Sequence, residues 1–264
     1  MHSLSGNSLG VEGAAALAPA LAANGGLTSI DLSGNQLWGC FEYVSRDERT
    51  GHWNYTAEGI TAIADALRVN GSLASVKLRG NKLGDEGWGA IFAAICGNKD
   101  SKIMSLDAAS EKIGPAGVKL IAEALRTSVT GGLTSVELRG NRLGGEGWGA
   151  IFAAICGNKD SKIMSMDVSD EKIGPAGVKL IAEALRTRVT GSLTVTNLLG
   201  NHLDAESAKM LSEVAKLKGI SLCGIQRNQT TANFSKQGLG PPDAILLASD
   251  LSQAVVTGSL TKME

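Results

Sequence analysis

One glycine pattern in this chain is of the kind that binds dinucleotide phosphates. Gly145, Gly147 and Ala150 follow the spacing G-x-G-x-x-A, and Asp167 lies 20 residues beyond Gly147. In a dinucleotide site such glycines let the backbone approach a pyrophosphate, and the acidic residue binds a ribose hydroxyl. A sister copy of the segment, however, has Asp85 where the first glycine should stand. We therefore expect an internal repeat to explain the pattern, and we predict no cofactor.

The remaining reactive residue types are too dispersed to predict catalysis. His2, His52 and His202 are far apart and stand beside no cysteine or paired carboxylate, so the spacing of metal ligands is missing. The sequence also lacks the nucleophile elbow, zinc-protease and phosphate-loop motifs. We predict that the protein is not an enzyme and holds no metal.

Charged residues recur at alternate positions of six short segments that we expect to be strands. The middle inward position is mostly acidic, with Lys77 as the exception, and Arg79 and Arg139 flank it. Two interpretations stay open: a solvated sheet face with cross-strand ion pairs, or a polar surface that docks a protein carrying basic groups. The expected inward residues are Ser29, Asp31, Ser33; Ser75, Lys77, Arg79; Ser105, Asp107, Ala109; Ser135, Glu137, Arg139; Ser165, Asp167, Ser169; and Val195, Asn197, Leu199.

Half of the chain's ten aromatic residues lie in one short segment. Alternation on both sides of a charged, Gly-ended stretch (residues 45–51) predicts a β-hairpin. Exposed Trp, Tyr and Arg are common anchors of protein interfaces, so the segment is a candidate docking element. The other interpretation is a flap that packs on the edge of a helix. The aromatic residues are Trp38, Phe41, Tyr43, Trp53 and Tyr55.

These candidates are positioned by a repeat with the frame L-x-x-[LIV]-x-L-x-x-N-x-L. The frame begins at Leu27, Leu73, Leu133 and, more loosely, Leu193, and sister copies begin at Ile103 and Ile163. From residue 81 its asparagine position recurs every 30 residues, and the occupants are Asn81, Glu111, Asn141, Glu171 and Asn201. A fixed period of this size predicts a solenoid of stacked supersecondary units.

Each repeat contains a strand pattern followed by a helix pattern. In the copy at Leu133, Val136, Leu138 and Leu143 alternate with polar residues, which indicates a half-buried strand. Trp148, Ile151, Phe152 and Ile155 then fall on one helical face. We predict strands near residues 28–32, 74–78, 104–108, 134–138, 164–168 and 194–198, with outer helices near 85–97, 115–127, 145–157 and 175–187.

A block of two repeats is duplicated, because residues 73–130 and 133–190 differ at only 9 of 58 positions. Within each block a helix with large aromatic residues alternates with one that has small residues at the aligned positions. Trp88 and Phe92 align with Val118 and Ala122. Large-against-small packing between neighbouring helices is the expected role of these aromatics.

The period is interrupted in two places. Asn35 and Asn81 are 46 residues apart, so the aromatic segment (residues 38–56) is an insertion. Residues 217–240 form an irregular repeat, in which Lys218–Ile225 resembles a strand and no helix fits before the frame restarts at Phe234. We predict one repeat domain over residues 1–264, with truncated repeats at both ends that make end-to-end self-association possible.

Composition excludes several partner classes. The net charge of −1 attracts neither nucleic acid nor an anionic membrane surface at long range. No apolar run reaches the roughly 18 residues of a membrane span. The four cysteines form no CxxC motif, and free buried thiols fit a reducing compartment, so we predict a cytoplasmic protein without nucleic-acid or membrane partners.

The frame resembles the ribonuclease-inhibitor type of leucine-rich repeat, which the arrays of NOD-like receptors and the Ran GTPase-activating protein share. Glu111 and Glu171 depart from the family's asparagine position. The resemblance implies an α/β leucine-rich repeat solenoid (a horseshoe) with a parallel inner sheet and outer helices, in about eight to nine repeats. It also implies a non-catalytic scaffold that binds a partner protein. Regulation of a small GTPase is the alternative.

Overall fold

The computed structural model describes residues 2–43, 51–129, 132–187, 189 and 192–264, which form an α/β solenoid. Its helices are α1 (Gly10–Ala23), α2 (Glu58–Val69), α3 (Gly84–Gly97), α4 (Pro115–Arg126), α5 (Gly144–Gly157), α6 (Pro175–Arg186), α7 (Ala205–Lys218), α8 (Pro241–Leu251) and α9 (Ala254–Thr257). Its strands are β1 (His2–Ser3), β2 (Ser29–Asp31), β3 (Gly39–Tyr43), β4 (Gly51–Tyr55), β5 (Ser75–Lys77), β6 (Ser105–Asp107), β7 (Ser135–Glu137), β8 (Ser165–Asp167), β9 (Val195–Asn197), β10 (Thr231–Ala232) and β11 (Lys262–Met263).

The predicted strands and helices are confirmed to within one residue at each end. In the third frame, Val136 is buried in β7 while Ser135 and Glu137 on either side are partly exposed, as the alternation requires. The next helix, α5, buries Trp148 and Phe152 on the face that the helical spacing indicates. Two periods inside one repeat therefore place a strand on the inside and a helix on the outside.

The inner strands run parallel and form two hydrogen-bonded groups. One group has the order β1-β2-β5, and the other has the order β6-β7-β8-β9. In the described residues no ladder joins β5 to β6, although they follow each other along the array. In the second copy of the duplicated block, β7 and β8 form a single registered pair, Ser135 with Ser165. The sheet is therefore looser inside each duplicated block than between the blocks.

The helix layer packs as the alternation of large and small residues predicts. Trp88, Phe92, Trp148 and Phe152 are fully buried, and the rings of the first pair lie 6.4 Å apart at a tilted angle. Glycines bring neighbouring helices close, because a Cβ on Gly89 would lie 2.6 Å from a Leu120 methyl carbon. The core is thus continuous between adjacent helices.

The asparagine position joins each turn to the one before it. The side-chain oxygen of Asn35 accepts from the Asn7 backbone N–H, and its amide donates to the carbonyls of Leu4 and Leu32. Asn81, Asn141 and Asn201 likewise donate to a carbonyl of the preceding turn and to one of their own turn. These bonds satisfy buried backbone groups that a turn would otherwise leave unpaired.

The two glutamates preserve this contact between turns with a carboxylate. Oε1 of Glu111 accepts from the Gly80 N–H at 2.9 Å, and Oε1 of Glu171 accepts from the Gly140 N–H at 2.7 Å. Because a carboxylate can only accept hydrogen bonds, it pairs with the glycine N–H rather than with a carbonyl. The departure from asparagine therefore changes which backbone group is satisfied without leaving the turn unconnected.

A second asparagine ladder, which sequence reasoning missed, lies at the ends of the helices. The side-chain amide of Asn70 donates to the carbonyls of Leu21 and Asn24. Asn98 and Asn158 donate in the same way to the preceding repeat, each through two bonds between 2.9 and 3.0 Å. Both edges of the solenoid are therefore joined by side-chain bonds to backbone.

The prediction of a strand over Lys218–Ile225 is wrong. Lys218 ends α7, and only isolated bridges form at Ser221 and Cys223. The buried carboxylate of Asp250 in α8 accepts the N–H groups of Leu222 and Cys223 and the Ser221 hydroxyl. Because these N–H groups are bonded to Asp250, they do not form the hydrogen bonds of a strand ladder. The expected absence of a helix between Ile225 and Phe234 is confirmed, since both residues lie in described, non-helical chain.

Both terminal segments take part in parallel pairs. β1 pairs with β2, and β11 pairs with β10. Division of the chain into one domain and self-association through its ends stay predictions.

Candidate functional site

The predicted inward residues lie side by side across the strands. The register places Asp31 beside Lys77, Asp107 beside Glu137 and Asp167 beside Asn197. Parallel in-register pairing stacks equivalent positions about 4.8 Å apart, so these residues form an inner column that is interrupted between β5 and β6, where no ladder forms among the described residues.

Three acidic residues of the column have a local structural role. The carboxylates of Asp31, Asp107 and Asp167 each accept from the backbone N–H two residues further on, at 3.0–3.1 Å. This bond, from Ser33, is the largest cause that lowers the pKa of Asp31. The side chains therefore stabilise the turn that follows the strand. Their presence in the column requires no partner.

Lys77 and Glu137 are different, because no such bond explains them. Neither side chain forms a hydrogen bond or an ion pair with the residues that the structure describes. Burial raises the pKa of Glu137, the negative charges of Asp167 and Asp107 raise it further, and Arg139 offsets part of the effect. Glu137 is therefore a carboxylate whose negative potential its neighbours do not neutralise.

The inward arginines form the cross-strand ion pairs that the first interpretation predicts. The guanidinium of Arg139 lies 2.9 Å from the Asp167 carboxylate and 3.8 Å from that of Asp170. The corresponding Arg79 lies 3.6 Å from Asp107. Because these pairs are 34–69% exposed, they contribute little to stability and remain accessible to a partner.

A cavity of about 320 Å³ opens on the inner face where β5 and β6 are not hydrogen-bonded. Lys77 and Arg79 line it on one side, and Ser105 and Asp107 line it on the other. Two depressions of about 440 Å³ lie elsewhere, one between the turns of Lys82 and Lys112 and one beside Arg139 and Lys236. The cavity at β5 and β6 brings together the predicted site residues Lys77, Arg79 and Asp107 from two neighbouring repeats.

The insertion forms the predicted hairpin. β3 and β4 pair antiparallel from Gly39 with Tyr55 to Tyr43 with Gly51, and the Thr56 N–H donates to the Trp38 carbonyl at the base. Trp38 itself is half-buried, because its ring packs against Gly87 at the start of α3. The side chains of the other four predicted aromatics, Phe41, Tyr43, Trp53 and Tyr55, and the charged tip over residues 45–50 lie outside the described residues.

Differences between the two duplicated copies concentrate next to the inner face. Eight of the nine fall in the strand-to-helix segments, at residues 74, 77, 82, 85, 106, 108, 109 and 110 of the first copy. Residues 86–105, which span most of α3, are identical to residues 146–165. Two of the differences change the charge of the inner face or its rim, since Lys77 corresponds to Glu137 and Ser110 to Asp170.

The glycine pattern at Gly145 has a packing role in the structure. A Cβ on Gly145 would lie 2.9 Å from the Gly177 Cα, so the glycine lets α5 approach α6. In the sister copy, the carboxylate of Asp85 instead accepts from the Gly114 N–H at 2.6 Å. Asp167 points to the inner sheet face and pairs with Arg139. In the described part of the chain, no group of three potential metal ligands comes together.

The described helices include none with the length and apolarity needed to cross a membrane. Cys96, Cys156 and Cys223 are buried and form no disulfide among the described residues, and burial raises the pKa of the Cys96 thiol to about 11.

Comparison with known proteins gives matches to repeat proteins. A family model described as leucine-rich repeat matches residues 69–92 and 133–152. The human NACHT, LRR and PYD domains-containing protein 13 is 29% identical over 155 residues, which is 49% of this chain. The chain spans 14% of the length of that relative.

Two solved structures have weaker similarity. The tropomodulin C-terminal domain of Caenorhabditis elegans is 16% identical, with a TM-score of 0.38 over 51% of this chain and 76% of that chain. Leiomodin-1 actin-binding site 2 is 16% identical, with a TM-score of 0.38 over 79% of this chain and 88% of that chain.

Proposed function

We propose that this chain, a leucine-rich repeat protein, is a non-catalytic scaffold that binds a partner protein through its inner sheet face and the aromatic hairpin. Repeat arrays commonly use an extended inner surface for binding, since only the residues at the interfaces between repeats are fixed by packing. The twelve predicted contact residues are Asp31, Lys77, Asp107, Glu137 and Asp167 of the inner column, the arginines Arg79 and Arg139, and the aromatic residues Trp38, Phe41, Tyr43, Trp53 and Tyr55.

One observation carries the proposal: the duplicated copies keep their helices, apart from Asp85 and Gly145 in the first turns of α3 and α5, and change their inner segments. Packing explains why residues 86–105 are unchanged, because Trp88, Phe92 and Ile95 of this stretch are fully buried. Packing does not explain the exchange of Lys77 for Glu137, because Lys77 is exposed. A surface that contacts a partner accounts for a reversal of charge at one position of an otherwise repeated unit.

The hairpin supplies the second part of the proposed surface. It leaves the solenoid between β2 and α2, and its first strand lies near α1. The bond between Thr56 and Trp38 closes its base, so the solenoid does not depend on the tip for closure. Aromatic side chains on such a projecting element are suited to act as anchors of an interface.

Deletion of residues 40–54 should weaken partner binding while the solenoid stays folded. The deletion joins Gly39 to Tyr55, which already face each other across the hairpin. Truncation of Tyr43 or Trp53 to alanine should each cost about 2 kcal/mol of binding free energy if these residues are anchors. A partner protein is first isolated by affinity capture on the wild-type chain and identified by mass spectrometry. The dissociation constant of this captured partner and the thermal unfolding midpoint are then measured for each variant.

Lys119→Ala on the outer face of α4 is the control, because Lys119 is exposed and lies far along the chain from the hairpin. Full affinity in the deletion variant would contradict the role of the hairpin in binding. Unfolding of the variant would show instead that the segment is a structural flap.

A cytoplasmic location belongs to the same proposal and is supported by three buried cysteines that form no disulfide among the described residues. Regulation of a small GTPase stays an alternative prediction, and release of phosphate from GTP in the presence of the protein would test it.

A further inference from the structure

Lys77 faces a cavity that is equipped to receive an anionic group. Its ammonium group is exposed and forms no ion pair with the described residues, and the hydroxyls of Ser75 and Ser105 beside it form no hydrogen bond there. Arg79 lies on the same wall, 3.6 Å from Asp107. Asp31 lies in register beside Lys77 and interacts with it electrostatically, and Asp107 lies on the facing wall; each carboxylate also accepts the backbone N–H two residues further on.

Glu137 presents the opposite charge at the equivalent position of the second copy. Asp107 and Asp167 stand on either side of it, and the nearest cation, Arg139, is engaged by Asp167 and Asp170. The charged inner residues of the first copy (Lys77, Arg79 and Asp107) sum to +1, and the flanking Asp31 brings the charge around Lys77 to 0. Those of the second copy (Glu137, Arg139, Asp167 and Asp170) sum to −2.

We propose that the inner face selects a partner segment that places an anionic side chain in the cavity at Lys77 and a basic side chain against Glu137. The inference rests on the proposed function and specifies the chemistry of the partner. Two strand spacings separate the two positions, so the charges of the segment should lie about 10 Å apart. A partner segment in the polyproline II conformation has three residues per turn and rises about 3.1 Å per residue, so side chains three residues apart lie about 9 Å apart on the same face.

The test uses four synthetic nine-residue peptides, each acetylated and amidated at its ends. One carries Glu-Thr-Thr-Lys at its centre, and the others replace the glutamate, the lysine or both by threonine. A fifth peptide carries phosphoserine in place of the glutamate and thereby distinguishes a phosphorylated source of the anion from a carboxylate. Dissociation constants are measured at two salt concentrations for the wild type, Lys77→Glu and Glu137→Lys.

Lys77→Glu should raise the dissociation constant of the peptide with both charges about tenfold, and so should Glu137→Lys; each change corresponds to about 1.4 kcal/mol. The peptide with only the anion should respond to Lys77→Glu alone. The peptide with only the cation should respond to Glu137→Lys alone. The pair Lys119→Glu and Glu123→Lys makes the same charge changes on the outer face of α4 and should alter each constant less than twofold.

Equal binding of the charged and neutral peptides by the wild type would overturn the inference, and so would absence of binding of all five. Effects of the inner variants no larger than those of the outer pair would also overturn it. The proposed scaffold function can be tested separately from this charge pattern. Suppose that deletion of residues 40–54 weakens binding of the captured partner, whereas Lys77→Glu and Glu137→Lys do not. This result would support the scaffold function and reject the charge pattern.

Discussion

Trp148→Ala should lower the free energy of unfolding by about 3–5 kcal/mol, the usual cost when a buried large aromatic side chain is removed. Trp148 is fully buried, and the helix around it packs closely enough that a Cβ on Gly149 would lie 2.6 Å from Leu180. The neighbouring side chains therefore cannot collapse fully into the cavity left behind. Chemical denaturation, followed by circular dichroism, measures the loss.

The sister residue provides a matched comparison. Trp88 is equally buried, but Nε1 of Trp148 donates to Glu171 at 3.2 Å, whereas Nε1 of Trp88 has no partner among the described residues. Replacement by phenylalanine should therefore cost about 1 kcal/mol more at position 148 than at position 88, because only the former loses a hydrogen bond. Midpoints that barely move in either alanine variant would mean that the aromatic residues do not form the core.

Asp250→Ala should destabilise the C-terminal repeats by about 3 kcal/mol. The carboxylate is fully buried and accepts from the Ser221 hydroxyl and the N–H groups of Leu222 and Cys223. Its removal leaves three buried donors without an acceptor, at about 1–3 kcal/mol each, less the relief of an unfavourably buried charge. Faster alkylation of the buried Cys223 thiol would report the loss locally.

Asp65→Ala, at an exposed carboxylate in α2, is the control for this variant, and it should leave the alkylation rate of Cys223 unchanged. An unchanged rate in Asp250→Ala as well would contradict the assigned role of the buried carboxylate.

The same carboxylate should make stability depend on pH. Burial raises the pKa of Asp250 above the usual 3.8, and hydrogen bonds from Ser221, Leu222 and Cys223 lower it in part. The folded state thus binds the proton more readily than the unfolded chain, so the contribution of Asp250 to stability falls as pH rises from 3.8 through the raised pKa. The stability of the wild type relative to Asp250→Asn should fall in that window.

Sequence periodicity was sufficient to predict the regular part of the fold. The bounds of β5 to β9 and α3 to α6 follow from alternation and helical spacing, because each of these elements buries a face against the equivalent element of the next repeat. The burial of Trp148 and the pairing of β3 with β4 follow in the same way. In a repeat protein, the local sequence pattern therefore also predicts the packing between neighbouring elements.

What could not be predicted depends on contacts with no counterpart in the repeat. Asp250 caps Leu222 from 28 residues away, and no periodic pattern relates the two positions. The second asparagine ladder left a signal in the sequence, since Asn98 and Asn158 recur 60 residues apart. The repeat pattern does not indicate, however, which carbonyls of the preceding repeat accept their hydrogen bonds.

The inner residues show a similar limit of sequence reasoning. Sequence alone treats Asp107 and Glu137 as equivalent acidic members of the column. The structure separates them, because Asp107 accepts the Ala109 N–H, whereas the longer Glu137 side chain forms no such bond in the described chain. The choice between a structural and a binding role therefore depends on local geometry.

Hydrogen exchange of the protein alone and with its captured partner tests the central claim most directly, since it locates the contact without a mutation. Binding through the inner face predicts slower exchange in peptides that cover residues 75–79 and 105–109, where β5 and β6 are not hydrogen-bonded to each other, and in residues 39–55. Protection confined to the outer helices α3 to α6, with the inner strands and the hairpin unchanged, would contradict the account.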